Sequence, residues 1–108
     1  METERYTQLK DHINQRVTID VIFQKYGKTH GQTTKSTCLK NIKIGDTIID
    51  HIWVKSKALN DAKLRTNQPI RIETTIRKRS RPSERLFDEP TMDIQLLKIA
   101  ILTKGRRW

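Results

Sequence analysis

Two chemical resources stand out in this sequence: flat π surfaces and cations. Tyr26 ends an alternating run, His30 sits in Lys28-Thr29-His30 between two glycines, and Trp53 closes Asp50-His51-Ile52-Trp53. Such rings can stack on other π systems when a cationic groove lies beside them. The cations are abundant, with 22 Lys and Arg against 12 Asp and Glu and a formal net charge of +10. They are also clustered. Residues 25–43 carry Lys25, Lys28, Lys35, Lys40 and Lys43 and no acid. Residues 71–85 carry Arg71, Arg77, Lys78, Arg79, Arg81 and Arg85 against Glu73 and Glu84. Lys55 follows Trp53 by two positions and joins the set. Solubility alone would give a solvated, mixed surface, whereas an acid-free run beside a second basic block points to a polyanionic partner, most simply nucleic acid.

Other chemistries are poorly supported. Asp50-His51 suggests acid–base work, but no second carboxylate or nucleophile stands at a useful spacing, so a hydrogen-bonded structural histidine explains the pair better. Gly27-Lys28-Thr29 has the end of a phosphate loop, yet the glycine required five residues earlier is Ile22. Three histidines and one cysteine, widely separated, give no metal-ligand spacing, and no cofactor is implied. A single cysteine excludes an internal disulfide framework. No apolar run is long enough to span a bilayer, and Met1-Glu2-Thr3-Glu4-Arg5 lacks the features of a signal peptide. The expectation is a cytoplasmic protein with no membrane partner and no catalytic residues.

The elements that must position these residues follow from periodicity. At 108 residues there is room for one domain. Tyr6, Leu9 and Ile13 predict a short helix over about 4–14. Val17, Ile19, Val21 and Phe23 alternate with polar residues, which predicts a strand over 16–26. A second strand is expected over 37–42, with imperfect parity that suggests a bulge, and a third over 48–54. If Ile52 and Val54 point inward, His51 and Trp53 point outward. Ser56 can cap a helix running through Leu64. Ile70, Ile72, Thr74 and Ile76 predict the clearest strand, over 70–79. Pro82 and Pro90 predict a long loop over 80–91, in which Phe87 could stack or anchor. A last strand over 92–103 should place Leu97, Ile99 and Ile101 on one side, with Leu96 and Leu102 on the other. Residues 104–108 should form a tail.

Three strands, a short helix and two strands is the order of the five-stranded OB-fold barrel, whose ligand lies across its second and third strands. Its two ligand loops map to about 26–35 and 79–91. Both basic blocks therefore fall on or beside the loops expected to hold a ligand.

Tyr26-Gly27-Lys28, Cys38-Leu39-Lys40-Asn41-Ile42 and Asp50-His51-Ile52-Trp53 also resemble a group of small OB-fold proteins of bacteria, phages and mobile elements, over roughly residues 15–103. A narrower resemblance is to the middle proteins of staphylococcal cassette chromosome replication operons. That resemblance implies a subunit that partners an A-family DNA polymerase and helps it prime DNA synthesis. Arg77-Lys78-Arg79 stands where the broader group carries an aromatic, so charge replaces a stacking residue there. Two functions are thus expected in competition. One is a nucleic-acid-binding accessory subunit, for single-stranded DNA or a primer-template. The other is an interaction or anti-defence module that docks on a polymerase or nuclease without touching nucleic acid.

Overall fold

The computed structural model describes residues 1–27, 35–81 and 89–105. Five strands dominate it: β1 (Arg16–Gly27), β2 (Ser36–Ile44), β3 (Thr47–Val54), β4 (Pro69–Arg81) and β5 (Thr91–Lys104). Helix α1 (Glu4–Leu9) precedes them, followed by a 3-10 turn over Lys10–His12, and helix α2 (Lys57–Asp61) lies between β3 and β4. The strands form one antiparallel sheet in the order β3-β2-β1-β4-β5. The expected closure into a barrel is not seen among the described residues. β3 and β5 are the sheet's edges, and they approach one another without pairing.

The core lies on one side of this sheet. Ile19, Val21 and Phe23 of β1 meet Leu39, Ile42, Ile49, Ile52, Ile70, Ile72 and Ile76, with Leu9 of α1 and Leu59 of α2 capping the cluster. Each such aliphatic side chain removed from water stabilises the fold by about 1.5–3 kcal/mol. Strict alternation would not produce this set. Phe23 and Tyr26, Leu39 and Ile42, and Ile49 and Ile52 are each three residues apart, yet all pack inward. A bulge between Phe23 and Lys25 shifts β1, and Asn41 in β2 adopts a left-handed φ of 56°. These irregularities bend the sheet around its core.

Both helices are shorter than their apolar spacing predicts. Thr3 caps α1, its Oγ1 accepting from the Tyr6 amide at 3.2 Å, and the chain leaves the helical turn through Asn14 at a φ of 71°. Ser56 caps α2 as expected, its Oγ accepting from the Leu59 amide at 3.2 Å, but the helix stops at Asp61. Leu64 is still buried beyond it. The expected loop over 80–91 is shortened from both sides, because β4 runs to Arg81 and β5 starts at Thr91; Phe87 lies outside the described residues.

β5 departs most from expectation. Ile94 and Leu96 are buried and Leu97 is exposed, while Ile99 and Ile101 pack partly against the core. The strand changes faces at Lys98, which has a φ of 52°, where the β4–β5 register also slips between Glu73 and Thr75. Buried Thr74 stabilises this bulge by donating its hydroxyl to the Leu97 carbonyl at 2.9 Å. Among the described residues no helix is long and apolar enough to cross a membrane.

Candidate nucleic-acid interface

Where the two sheet edges approach, they frame a cleft. Its larger lobe, about 590 Å³, is lined by Ser36, Trp53, Val54 and Lys55 on one side and by Arg79, Arg81 and Gln95–Leu97 on the other. A smaller lobe of about 220 Å³ continues along β3 past His51 and Trp53 to Arg5. Cations therefore line both walls, with apolar surface from Trp53 and Leu97 between them.

Trp53 is held in a defined way. Its β3 neighbours Ile52 and Val54 are buried, so the indole stands on the opposite face, 45% exposed. It pairs across the ladder with Cys38, itself buried, and burial pushes that thiol's pKa up. The benzo edge of the indole rests on the backbone of Gly27. A Cβ at that position would stand 3.0 Å from Cη2, so only glycine lets the ring lie this close. The Lys25 ammonium sits 5.8 Å from the indole centroid, within cation–π range. Trp53 is thus seated on one side and open on another, as a stacking platform beside cations must be.

Other residues singled out in the sequence take different places. Tyr26 is no free platform. Its hydroxyl donates to the Leu59 carbonyl at 2.8 Å and accepts from the Leu64 amide at 3.1 Å, and its ring packs 4.6 Å from Phe23. Those bonds fasten α2 to β1, and Lys35 covers the ring with its ammonium 4.2 Å from the centroid. Arg71 belongs to another surface, where its guanidinium forks onto Asp20 at 2.8 and 3.3 Å. Lys40 donates to Asn67 at 2.6 Å, beside rather than in the cleft. Arg77 and Lys78 are exposed on the β4 arm just before Arg79. Lys28, His30 and Arg85 lie outside the described residues.

One group escaped the sequence analysis entirely. Asp93 is 1% exposed and receives both Nε and Nη2 of Arg5, each at 2.6 Å. Thr3 Oγ1 donates to it at 3.1 Å, the Ile94 amide at 2.8 Å, and Arg81 Nη2 lies 3.1 Å from Oδ2. Burial alone would raise the pKa of this carboxyl, but the Arg5 hydrogen bonds, the Ile94 amide and the Arg5 charge outweigh it and lower the pKa to about 2. The first residues are strapped beside it. Thr3 donates its amide to the Met92 carbonyl at 2.9 Å, and Met92 donates to the Met1 carbonyl at 2.6 Å. An acid between Met92 and Ile94 gives no local sign of such a partner, because Arg5 is 88 residues away in the chain.

A second hollow of about 530 Å³ lies between α1 and the β2–β3 turn and shares Arg5 and Arg81 with the cleft. Ile48 is 67% exposed there, and Glu4, Asp46 and Asp50 line the hollow together with Arg5, Arg81 and the Asp93 they share, so acids outnumber bases. No group of three or more His, Cys, Asp or Glu side chains among the described residues is arranged to hold a metal ion. Comparisons with protein-family models, curated proteins and solved structures give no significant match for this chain.

Proposed function

We propose that this chain is a non-catalytic, OB-type nucleic-acid-binding subunit that holds a single strand in the cleft between β3 and the β4–β5 arm. The observation that carries this reading is the convergence of Trp53 with Lys55, Arg79 and Arg81 around one hollow, from segments far apart in the sequence. A platform that every base can stack on, flanked by cations for the phosphates, suits sequence-tolerant binding. The strand order, with α2 between β3 and β4, is that of an OB barrel opened between its third and fifth strands, and supports the fold assignment. A lobe of about 590 Å³ suits a few nucleotides rather than a duplex.

The resemblance noted above gives this activity a setting: replication of a mobile element, with an A-family DNA polymerase as partner in priming. The acidic end around Ile48 favours protein docking as an additional role. Beyond Arg5 and Arg81, the hollow carries Glu4, Asp46 and Asp50, and an exposed isoleucine among them suits a basic, apolar protein surface. The strand and the polymerase would then occupy adjoining hollows that meet at Arg5 and Arg81.

The test is fluorescence anisotropy with a labelled 15-mer of thymidylate and with a blunt duplex of equal length. The single strand should bind more tightly, with a log–log salt slope of about −0.7 per neutralised phosphate. Arg79→Glu with Arg81→Glu should abolish most of that affinity while circular dichroism shows the fold kept. Equal binding by wild type and the charge-reversed variant would exclude the cleft.

A further inference from the structure

We propose that Arg5, carried by the N-terminal helix, is a phosphate-binding residue of the cleft, and that buried Asp93 is the positioning residue that aims Arg5 and Arg81 at the same strand. This inference rests on the cleft being a nucleic-acid interface and extends that interface to an element outside the sheet. Arg5 lines the smaller lobe together with His51, Trp53, Arg79 and Arg81. Two guanidiniums share the single Asp93 carboxylate, with Arg5 26% and Arg81 52% exposed. One carboxylate cannot neutralise two guanidiniums, so the lobe keeps a net positive charge beside Arg79.

The geometry favours a held anion site over a simple internal ion pair. Arg5 engages Asp93 through Nε and Nη2, which leaves Nη1 with no bonded partner among the described residues. Arg81 Nη2 lies 3.1 Å from Oδ2 of the same carboxylate. Arg5 is fixed by two hydrogen bonds and Arg81 is drawn to the same carboxylate, and Arg5 keeps donors for a second anion. The fixing is deep: Thr3, which caps α1, and the Ile94 amide hold Asp93 itself. A guanidinium already oriented loses less freedom when it meets a phosphate than a free surface lysine does. The donors left on Arg5, Nη1 and the second N–H of Nη2, form an end-on fork that matches the two unbridged oxygens of a phosphodiester.

The anisotropy titration with the thymidylate 15-mer tests this, using Arg5→Gln, Arg5→Lys and Asp93→Asn, with Arg16→Gln as a control. Arg16 pairs with Glu73 on another part of the surface. Each variant is assayed below its melting temperature. Arg5→Gln should weaken binding by about threefold to tenfold and make the salt slope shallower by about 0.7. Arg5→Lys, which keeps the charge and loses the fork, should recover the slope but not the full affinity. Should Arg5→Gln fail to fold, that shortfall in Arg5→Lys affinity still carries the test. Asp93→Asn gives the sharpest sign. It adds a positive charge beside the lobe, so field strength alone predicts tighter binding, whereas loss of aim predicts weaker binding. Wild-type affinity in both Arg5 variants, or tighter binding by Asp93→Asn, would overturn the inference while leaving the cleft in place. Failure of the wild-type chain to bind the oligonucleotide would instead remove the interface on which it depends.

Discussion

Replacing Asp93 with asparagine is expected to weaken the fold by about 2 kcal/mol at neutral pH and to remove much of its acid sensitivity. The amide keeps the size of the carboxylate and can still accept from the Ile94 amide and Thr3, so little packing is lost. What disappears is the charge on which Arg5 forks at 2.6 Å and to which Arg81 pairs at 3.1 Å. The Asp93 carboxyl is lowered from 3.8 to about 2 in the folded chain. At ~1.4 kcal/mol per pH unit, that difference corresponds to roughly 2 kcal/mol. Removing one partner of a fully buried pair costs about 3–5 kcal/mol, and the partial exposure of both arginines places this case below that range. Because the folded-state pKa is depressed, the contribution is complete above the unfolded-state value near 4. It is lost as pH falls through about 2. Urea denaturation at pH 7, 4, 3 and 2 measures it directly. Wild type and Asp93→Asn should differ by ~2 kcal/mol at pH 7 and converge towards pH 2. Equal stability at pH 7, or a gap that stays constant down to pH 2, would refute the assignment of this stability to the ionised carboxylate.

Trp53→Ala should reduce affinity for a single strand by about tenfold to a hundredfold, the value of one stacked base, and titration of a labelled oligonucleotide checks this. Tyr26→Phe should lower stability by about 1–3 kcal/mol in a denaturant melt, since the buried Leu59 carbonyl and Leu64 amide lose their partner, and should leave oligonucleotide affinity unchanged. Gly27→Ala should shift the Trp53 fluorescence, read in a Trp108→Phe background, while changing stability by only about 0.5 kcal/mol, because the indole it displaces is exposed and can tilt outward. Arg71→Gln should leave binding and its salt slope as in wild type, since that guanidinium is committed to Asp20 away from the cleft.

Local periodicity revealed much of the fold and little of the site. The alternation of Val17, Ile19, Val21 and Phe23, the Ser56 cap and the Ile70–Ile76 pattern are short-range signals, and the corresponding elements stand where those signals put them. Errors began where a strand changed faces. Ile49 shares parity with Trp53 but is buried, and Leu96 exchanges places with Leu97, because bends at Asn41 and Lys98 break the two-residue period. Neither asparagine nor lysine in a strand announces a left-handed conformation as glycine does. Element order suggests barrel closure, but order alone does not determine whether two edge strands pair. The clustering of charge does point to Arg79 and Arg81, but it cannot separate them from Arg71, whose partner Asp20 lies across a strand pair. Arg5 and Asp93 were invisible for the same reason: their contact joins the two ends of the chain.

The most direct test of the account is amide chemical-shift mapping as a thymidylate 15-mer is added to the isotopically labelled chain. The account predicts that perturbations concentrate on residues 51–55, 79–81 and 94–97 and on Arg5, with the Trp53 indole N–H among the largest. Perturbations centred on Asp20 and Arg71, or confined to residues 46–50, would contradict it.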